Sequence, residues 1–292
     1  MSRISSAFAL IRKSISAYTD DFAPSMGAAI AYYTVFSLAP LLVIVIAVAG
    51  ALFGHEAVQG RIVAQLAGLI GSEGAIFVQA LVRNASDPAQ GVIAGLIGVI
   101  ALVIGATTVF AELQSALDRI WHVPEAAKPS GLWGLLRARL LSFGLILGLA
   151  FLLMVSLVVS TVVAALGEWT GGMMPGWEAM LQAINTLVSA SIMTLLFAMI
   201  FKWMPSTPIA WRDVGIGALV TAVLFEVGKL LIGLYLGKSG VTESFAAAGS
   251  LVVLLAWVYY ASQIFLLGAV FTKVYAEEHG SLRANRALTA AV

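Results

Sequence analysis

Gly27–Phe53 reads Gly-Ala-Ala-Ile-Ala-Tyr-Tyr-Thr-Val-Phe-Ser-Leu-Ala-Pro-Leu-Leu-Val-Ile-Val-Ile-Ala-Val-Ala-Gly-Ala-Leu-Phe, without one Asp, Glu, Lys, Arg or His. A helix rising about 1.5 Å per residue needs roughly 20 such residues to cross about 30 Å of hydrocarbon. This stretch therefore predicts a membrane-spanning helix. Five more segments meet the same length: Gly91–Ala111, Leu140–Gly167, Ala179–Phe201, Val214–Gly237 and Ser244–Thr272. Only Val214–Gly237 contains charges, Glu226 and Lys229.

Composition agrees with a lipid solvent. Of 292 residues, 61% are hydrophobic and 11% charged, against roughly 25% charged in soluble domains. A core of this size cannot hide so much apolar surface from water. Net charge is +1, so no basic field points to nucleic acid. With no cysteine, disulfides, thiolate-bound metals and thiol nucleophiles are excluded. Met1–Asp21 lacks an uninterrupted apolar core and a small-residue cleavage site, so no cleaved signal peptide is expected.

Basic residues set the orientation. Arg3, Arg12, Lys13, Arg119, Lys128, Arg137, Arg139, Lys202, Arg212, Lys273, Arg283 and Arg286 fall on one side of an alternating six-span chain. Only Arg61, Arg83 and Lys238 fall on the other. Twelve against three predicts both termini in the cytoplasm. Trp121, Trp133, Trp169, Trp177, Trp203 and Trp211 all lie at or just past predicted helix ends, where amphipathic rings favour the headgroup zone. Trp257 alone sits mid-span.

In Arg3–Thr19, Ile4, Phe8, Ile11, Ile15 and Tyr18 recur at helical spacing opposite Arg12 and Lys13, which predicts an amphipathic interfacial helix within residues 1–21. Similar patterns in 54–90 predict an outer helical hairpin, and Glu112–Trp121 should prolong the second span. The fold expected is an all-α integral membrane protein: one domain over 1–292, a six-transmembrane-helix bundle, and a cytoplasmic tail at 273–292.

Several strings carry a family resemblance. They are Ala28–Leu42 with its Ser-Leu-Ala-Pro, Arg119-Ile120-Trp121, and Phe201-Lys202-Trp203-Met204-Pro205. Lys229 and Tyr235, Gly249-Ser250-Leu251, Trp257–Ile264, Leu267-Gly268-Ala269 and Phe271-Thr272-Lys273 complete the set. Together the chain resembles the YihY/BrkB family of bacterial inner-membrane proteins. The resemblance implies six helices, an inner-membrane location and links to serum resistance and envelope lipids, with an old label of tRNA-processing ribonuclease. Phe245-Ala246 stands where that family usually has Tyr-Gly, and Val270 where it usually has Glu.

Glu226 and Lys229 share one helix face. Each charge, unpaired at mid-membrane, costs about 2.5–3.5 kcal/mol, so the face should point into the bundle. Two readings follow: a polar cavity for an anionic headgroup, ion or proton, or a buried structural pair. Trp257, Tyr260 and Gln263 recur at spacing three and, facing span five, would complete that polar core; interhelical hydrogen bonding alone is the other reading. Pro40 removes a helical hydrogen bond and predicts a kink beside Tyr32, Tyr33 and Ser37, shaping either a cavity wall or inert packing. Gln182, Asn185, Thr107 and Thr108 are weaker candidates. Gly91-x-x-x-Gly95, Gly144-x-x-x-Gly148 and Gly233-x-x-x-Gly237 match the close-packing motif.

Nothing resembles an enzyme site. His55, His122 and His279 lie in separate polar segments, so no metal is expected. Phosphate-loop, zinc-protease and nucleophile-elbow motifs are missing from the sequence. Asp20-Asp21 and Glu277-Glu278 read as solvated helix ends, which argues against a nuclease. The function expected is transport or lipid translocation of an amphipathic or anionic solute. The alternative is a non-transporting envelope scaffold that binds lipids or proteins. Membrane lipids and a small solute are the expected partners, with homo-oligomers allowed; nucleic acid and cofactors are not expected.

Overall fold

The computed structural model describes residues 3–53, 60, 75–76, 78–80, 104, 108–125, 177–238 and 249–283. Among them every regular element is helical. The main helices are α1 (Arg3–Asp20), α2 (Ala23–Phe53), α3 (Trp177–Trp203), α4 (Trp211–Lys238) and α5 (Gly249–Glu278); residues 108–120 form a further helical segment. Thr186–Trp203 and Leu251–Glu278 are each long and apolar enough to cross a membrane. The predicted spans 91–111 and 140–167 and the hairpin at 54–90 lie outside the described residues, apart from a few helical positions.

Helix ends depart from expectation by a few residues. α2 begins at Ala23, four residues before the predicted span, and continues through Pro40. α5 runs on to Glu278, so the first six residues assigned to the tail are helix. Its sequence explains why: Phe271-Thr272-Lys273-Val274-Tyr275-Ala276 carries no breaker, and Gly280 follows the last turn.

α5 is the axis, packed against α1, α2 and α4, while α3 packs on α4. One apolar core joins Ile30, Leu117, Ile120, Phe201, Val214, Leu266 and Val270. Phe197, Phe201 and Phe265 stack within it at centroid distances of 5.3–6.3 Å. A second core gathers Ala31, Val35 and Ile46 of α2 with Val78, Leu254 and Val258.

The α4–α5 seam is reciprocal. A Cβ added at Gly217 would lie 2.7 Å from the Thr272 Cβ, and one at Gly268 would lie 2.8 Å from the Thr221 Cβ. Each glycine thus receives the threonine of the opposite helix. Each threonine also turns its hydroxyl back onto its own helix, Thr221 Oγ1 donating to Gly217 O and Thr272 Oγ1 to Gly268 O, both at 2.7 Å. The hydroxyls are satisfied, and the backbones approach as closely as small residues permit.

Candidate functional site

On α4, the exposed residues Leu219, Val223, Val227 and Leu231 form one line, and the buried residues Val214, Ala218, Thr221 and Ala222 lie opposite. Glu226 falls on the flank between the two, while Lys229, seven residues after Ala222, continues the inward line. Their one-turn spacing brings Lys229 Nζ to 2.8 Å from Glu226 Oε2, with side chains 32% and 41% exposed. The pair predicted from spacing forms, at the edge of the bundle rather than sealed within it.

Phe225, Lys229, Trp257, Tyr260, Ala261 and Ile264 line an indentation of about 10 Å³, about the room one water needs. Trp257 meets Phe225 edge-to-face at 6.1 Å. Its Nε1 is buried and has no hydrogen-bond partner among the described residues, an uncompensated donor beside a cation. Gly228 admits α5 here, since a Cβ on it would meet Ile264 and come within 3.0 Å of the Tyr260 hydroxyl. Lys229, Trp257 and Tyr260 are therefore brought together.

Gln263 is not part of that group. Its Oε1 accepts from the Tyr18 hydroxyl, its Nε2 donates to Pro24 O at 3.2 Å, and its Cδ would lie 2.9 Å from a Cβ on Gly27. It ties α5 to α1 and the start of α2, away from span five. Tyr32 and Tyr33 are exposed on α2, their rings edge-to-face at 5.6 Å. Ser37 is buried, and α2 stays helical at Pro40. Thr108 bonds back to Ile104 O; the side chains of Gln182 and Asn185 lie outside the described residues.

Burial, and then Tyr259, push the Tyr18 phenol from its ordinary 10.0 up to about 12. The fold thus holds this proton more tightly than the unfolded chain. Stability from this group is complete below about pH 10 and declines as pH rises toward 12. Tyr18→Phe should lower the melting temperature at pH 8 but flatten its fall between about pH 10 and 12. Parallel melting curves for both proteins over that window would contradict the assignment.

A second polar cluster joins three elements. Asp21 follows α1, His122 follows the helix at 108–120, and Lys273 lies on α5. His122 Nε2 is 2.8 Å from Asp21 Oδ1, and Lys273 Nζ lies 3.2 Å from both ring nitrogens and 3.8 Å from Asp21 Oδ2. The consistent assignment has Nε2–H donating to Asp21 while Nδ1 accepts from Lys273. Asp21 and Lys273 are both buried, so the reading of Asp21 as a solvated helix end is corrected.

The backbone concurs. His122 has φ 49° and Phe22 φ 58°, the left-handed region that favours glycine. His122 N–H donates to Arg119 O at 3.0 Å and Val123 N–H to Asp118 O at 2.9 Å, the paired bonds of a Schellman cap with histidine in the glycine position. Arg119 lies over the Phe22 ring at 5.2 Å, so the two turns meet.

Two more buried carboxylates close this end. Asp118 accepts from Ser206 N and Oγ, each at 2.7 Å. Asp213, fully buried in the first turn of α4, accepts from Ser281 N at 3.1 Å and Oγ at 2.6 Å. Lys13 pairs with Glu278 at 2.6 Å. These contacts join positions 68 to 265 residues apart, beyond any local spacing rule. The one hint in the sequence is the accumulation of short polar side chains at helix ends. Among the described residues no group of three metal-ligating side chains occurs.

The model of a family described as Virulence factor BrkB matches residues 14–291. A UPF0761 membrane protein of Ralstonia nicotianae is 27% identical over 89% of this chain and 57% of its own length. One from Pseudomonas paraeruginosa is 27% identical over 87% of this chain and 59% of its own, and one from Delftia acidovorans 32% over 61% and 41%. The chain thus spans under three-fifths of the length of these curated relatives. No solved structure matches. With the family model covering nearly every described residue and its relatives being membrane proteins, this chain belongs to the BrkB virulence-factor family and is a membrane protein.

Proposed function

We propose that the chain crosses the bacterial inner membrane six times, with both termini in the cytoplasm, and translocates an amphipathic or anionic solute such as a lipid. The twelve-to-three distribution of basic residues supports the orientation. The observation that carries the function is the half-open Glu226–Lys229 pair. A pair kept only for packing would be closed off from its surroundings, because partial exposure to hydrocarbon is costly. An open pair offers Lys229 to an incoming anionic headgroup while Glu226 holds the cation between arrivals. The Trp257 indole, without a hydrogen-bond partner among the described residues, and the Tyr260 hydroxyl lie beside Lys229. In this reading membrane lipids are the partners, no nucleic acid binds, no bond is made or broken, and the energy comes from an ion gradient or from none.

The second reading, a non-transporting scaffold, is favoured by one observation: the indentation at Lys229 is only about 10 Å³. Reconstitution in liposomes separates the two. Fluorescent-lipid scrambling or solute uptake should exceed that of protein-free vesicles. Glu226→Gln and Lys229→Met should each lower it about tenfold, the equivalent of 1.4 kcal/mol of lost interaction. Equal rates for all three proteins would remove the transport reading and leave the scaffold.

A further inference from the structure

We infer that the outward face of α1, with Arg12 on it and Arg119 over Phe22 at its end, forms a docking surface for anionic phospholipid headgroups. This surface is built by burial elsewhere. The chain as a whole is nearly neutral, yet three carboxylates at this end are turned inward: Asp21 to His122 and Lys273, Asp118 to Ser206, and Asp213 to Ser281. Lys13 and Glu278 offset each other. What stays exposed among the described residues is Arg12, Arg119, Arg212 and Arg283 against Asp20 and Glu125. The fold thus leaves an excess of exposed cations among the described residues that the net charge conceals.

An apolar stripe accompanies it. α1 docks through Leu10, Ala17 and Tyr18 onto the main core, with Ser14 buried between them. That choice of face turns Phe8, Ile11 and Ile15 outward, 70%, 53% and 55% exposed. They lie at spacings of three and four, hence on one line, with Lys13 opposite and Arg12 on the flank of the line rather than opposite it as the sequence pattern suggests. Phe22 continues the apolar exposure under the Arg119 guanidinium. A docked helix with apolar residues along one outward edge and cations next to them matches a headgroup layer, where the rings enter the acyl boundary and the guanidinium groups meet phosphate. The charge complementarity selects an anionic lipid surface. This inference stands apart from the transport reading.

The absence of cysteine makes the test clean. Ile11→Cys, Ile15→Cys and, on the polar side of the same helix, Ser16→Cys would be labelled with an environment-sensitive fluorophore. The full chain would then be reconstituted in phosphatidylcholine vesicles with and without phosphatidylglycerol. With phosphatidylglycerol, labels at 11 and 15 should be quenched by nitroxide lipids and shielded from iodide, and the label at 16 should behave oppositely. Adding Arg12→Gln should lower the ratio of inserted to exposed label about fivefold, the effect of one surface cation near an anionic leaflet. Water-like labels at 11 and 15 in both vesicles would overturn the inference, and so would insertion indifferent to phosphatidylglycerol and to Arg12→Gln. The vesicles hold no other protein, so a surface kept for a protein partner would give the water-like result.

Discussion

Lys273→Met is expected to destabilise the protein by about 3–5 kcal/mol, the usual consequence of stranding one partner of a buried ion pair. The side chains of Lys273 and Asp21 are 9% and 10% exposed, so little solvent is available to screen a carboxylate left without its cation. His122 stays within 2.8 Å of Asp21 but is largely solvent-facing and carries charge only when protonated, so it replaces Lys273 poorly. Asp21→Asn/Lys273→Met removes both charges and should recover most of the loss. Thermal or denaturant unfolding in a mild detergent, followed by tryptophan fluorescence, measures the cycle. A single-mutant loss below about 1 kcal/mol, or a double mutant no better than Lys273→Met, would show that the charges are not coupled as their geometry implies.

Gly268→Ala is expected to cost about 1–3 kcal/mol, although alanine in a helix is normally better than glycine by about 1 kcal/mol. The new methyl would fall on Thr221, 2.8 Å from both its Cβ and its Cγ2, and a β-branched side chain in a helix has almost no freedom to withdraw. Gly215→Ala is the matched control on the same seam's partner helix: nothing lies within 4 Å of the position, so it should be neutral or stabilising. Gly268→Ala/Thr221→Gly, which exchanges the two shapes, should restore much of the lost stability. Melting temperatures of the four proteins decide the matter, and equal values for Gly268→Ala and Gly215→Ala would contradict the packing described.

Much of this was readable in advance because it is local. Apolar length found α2, α3, α4 and α5 to within a few residues, helical spacing found α1, and a three-residue interval found the Glu226–Lys229 pair. The resemblance to the BrkB family, read from strings such as Ser-Leu-Ala-Pro and Arg119-Ile120-Trp121, is shown by the family match. What escaped was non-local. Gln263 shares a line with Trp257 and Tyr260, yet a helix packed on several sides turns parts of that line toward different neighbours. Asp21 looked solvated because its partners are 101 residues away for His122 and farther still for Lys273. The sequence matches Gly-x-x-x-Gly at other positions, whereas α4 and α5 pack through Gly217-x-x-x-Thr221 and Gly268-x-x-x-Thr272. Threonine serves as well there because it can spend its hydroxyl on its own backbone.

The two interlocked glycine–threonine notches fix the register between α4 and α5. Sliding either helix by one turn, about 5.4 Å, would drive Thr221 into Thr272 in one direction. In the other it would set glycine against glycine and push Thr221 toward Ile264. Both ends of the slide are blocked, one by collision and the other by an empty gap. A register held at two points keeps Lys229 beside Trp257 and Tyr260 across the seam. If the proposed translocation involves movement, motion that keeps this seam intact carries the two helices together.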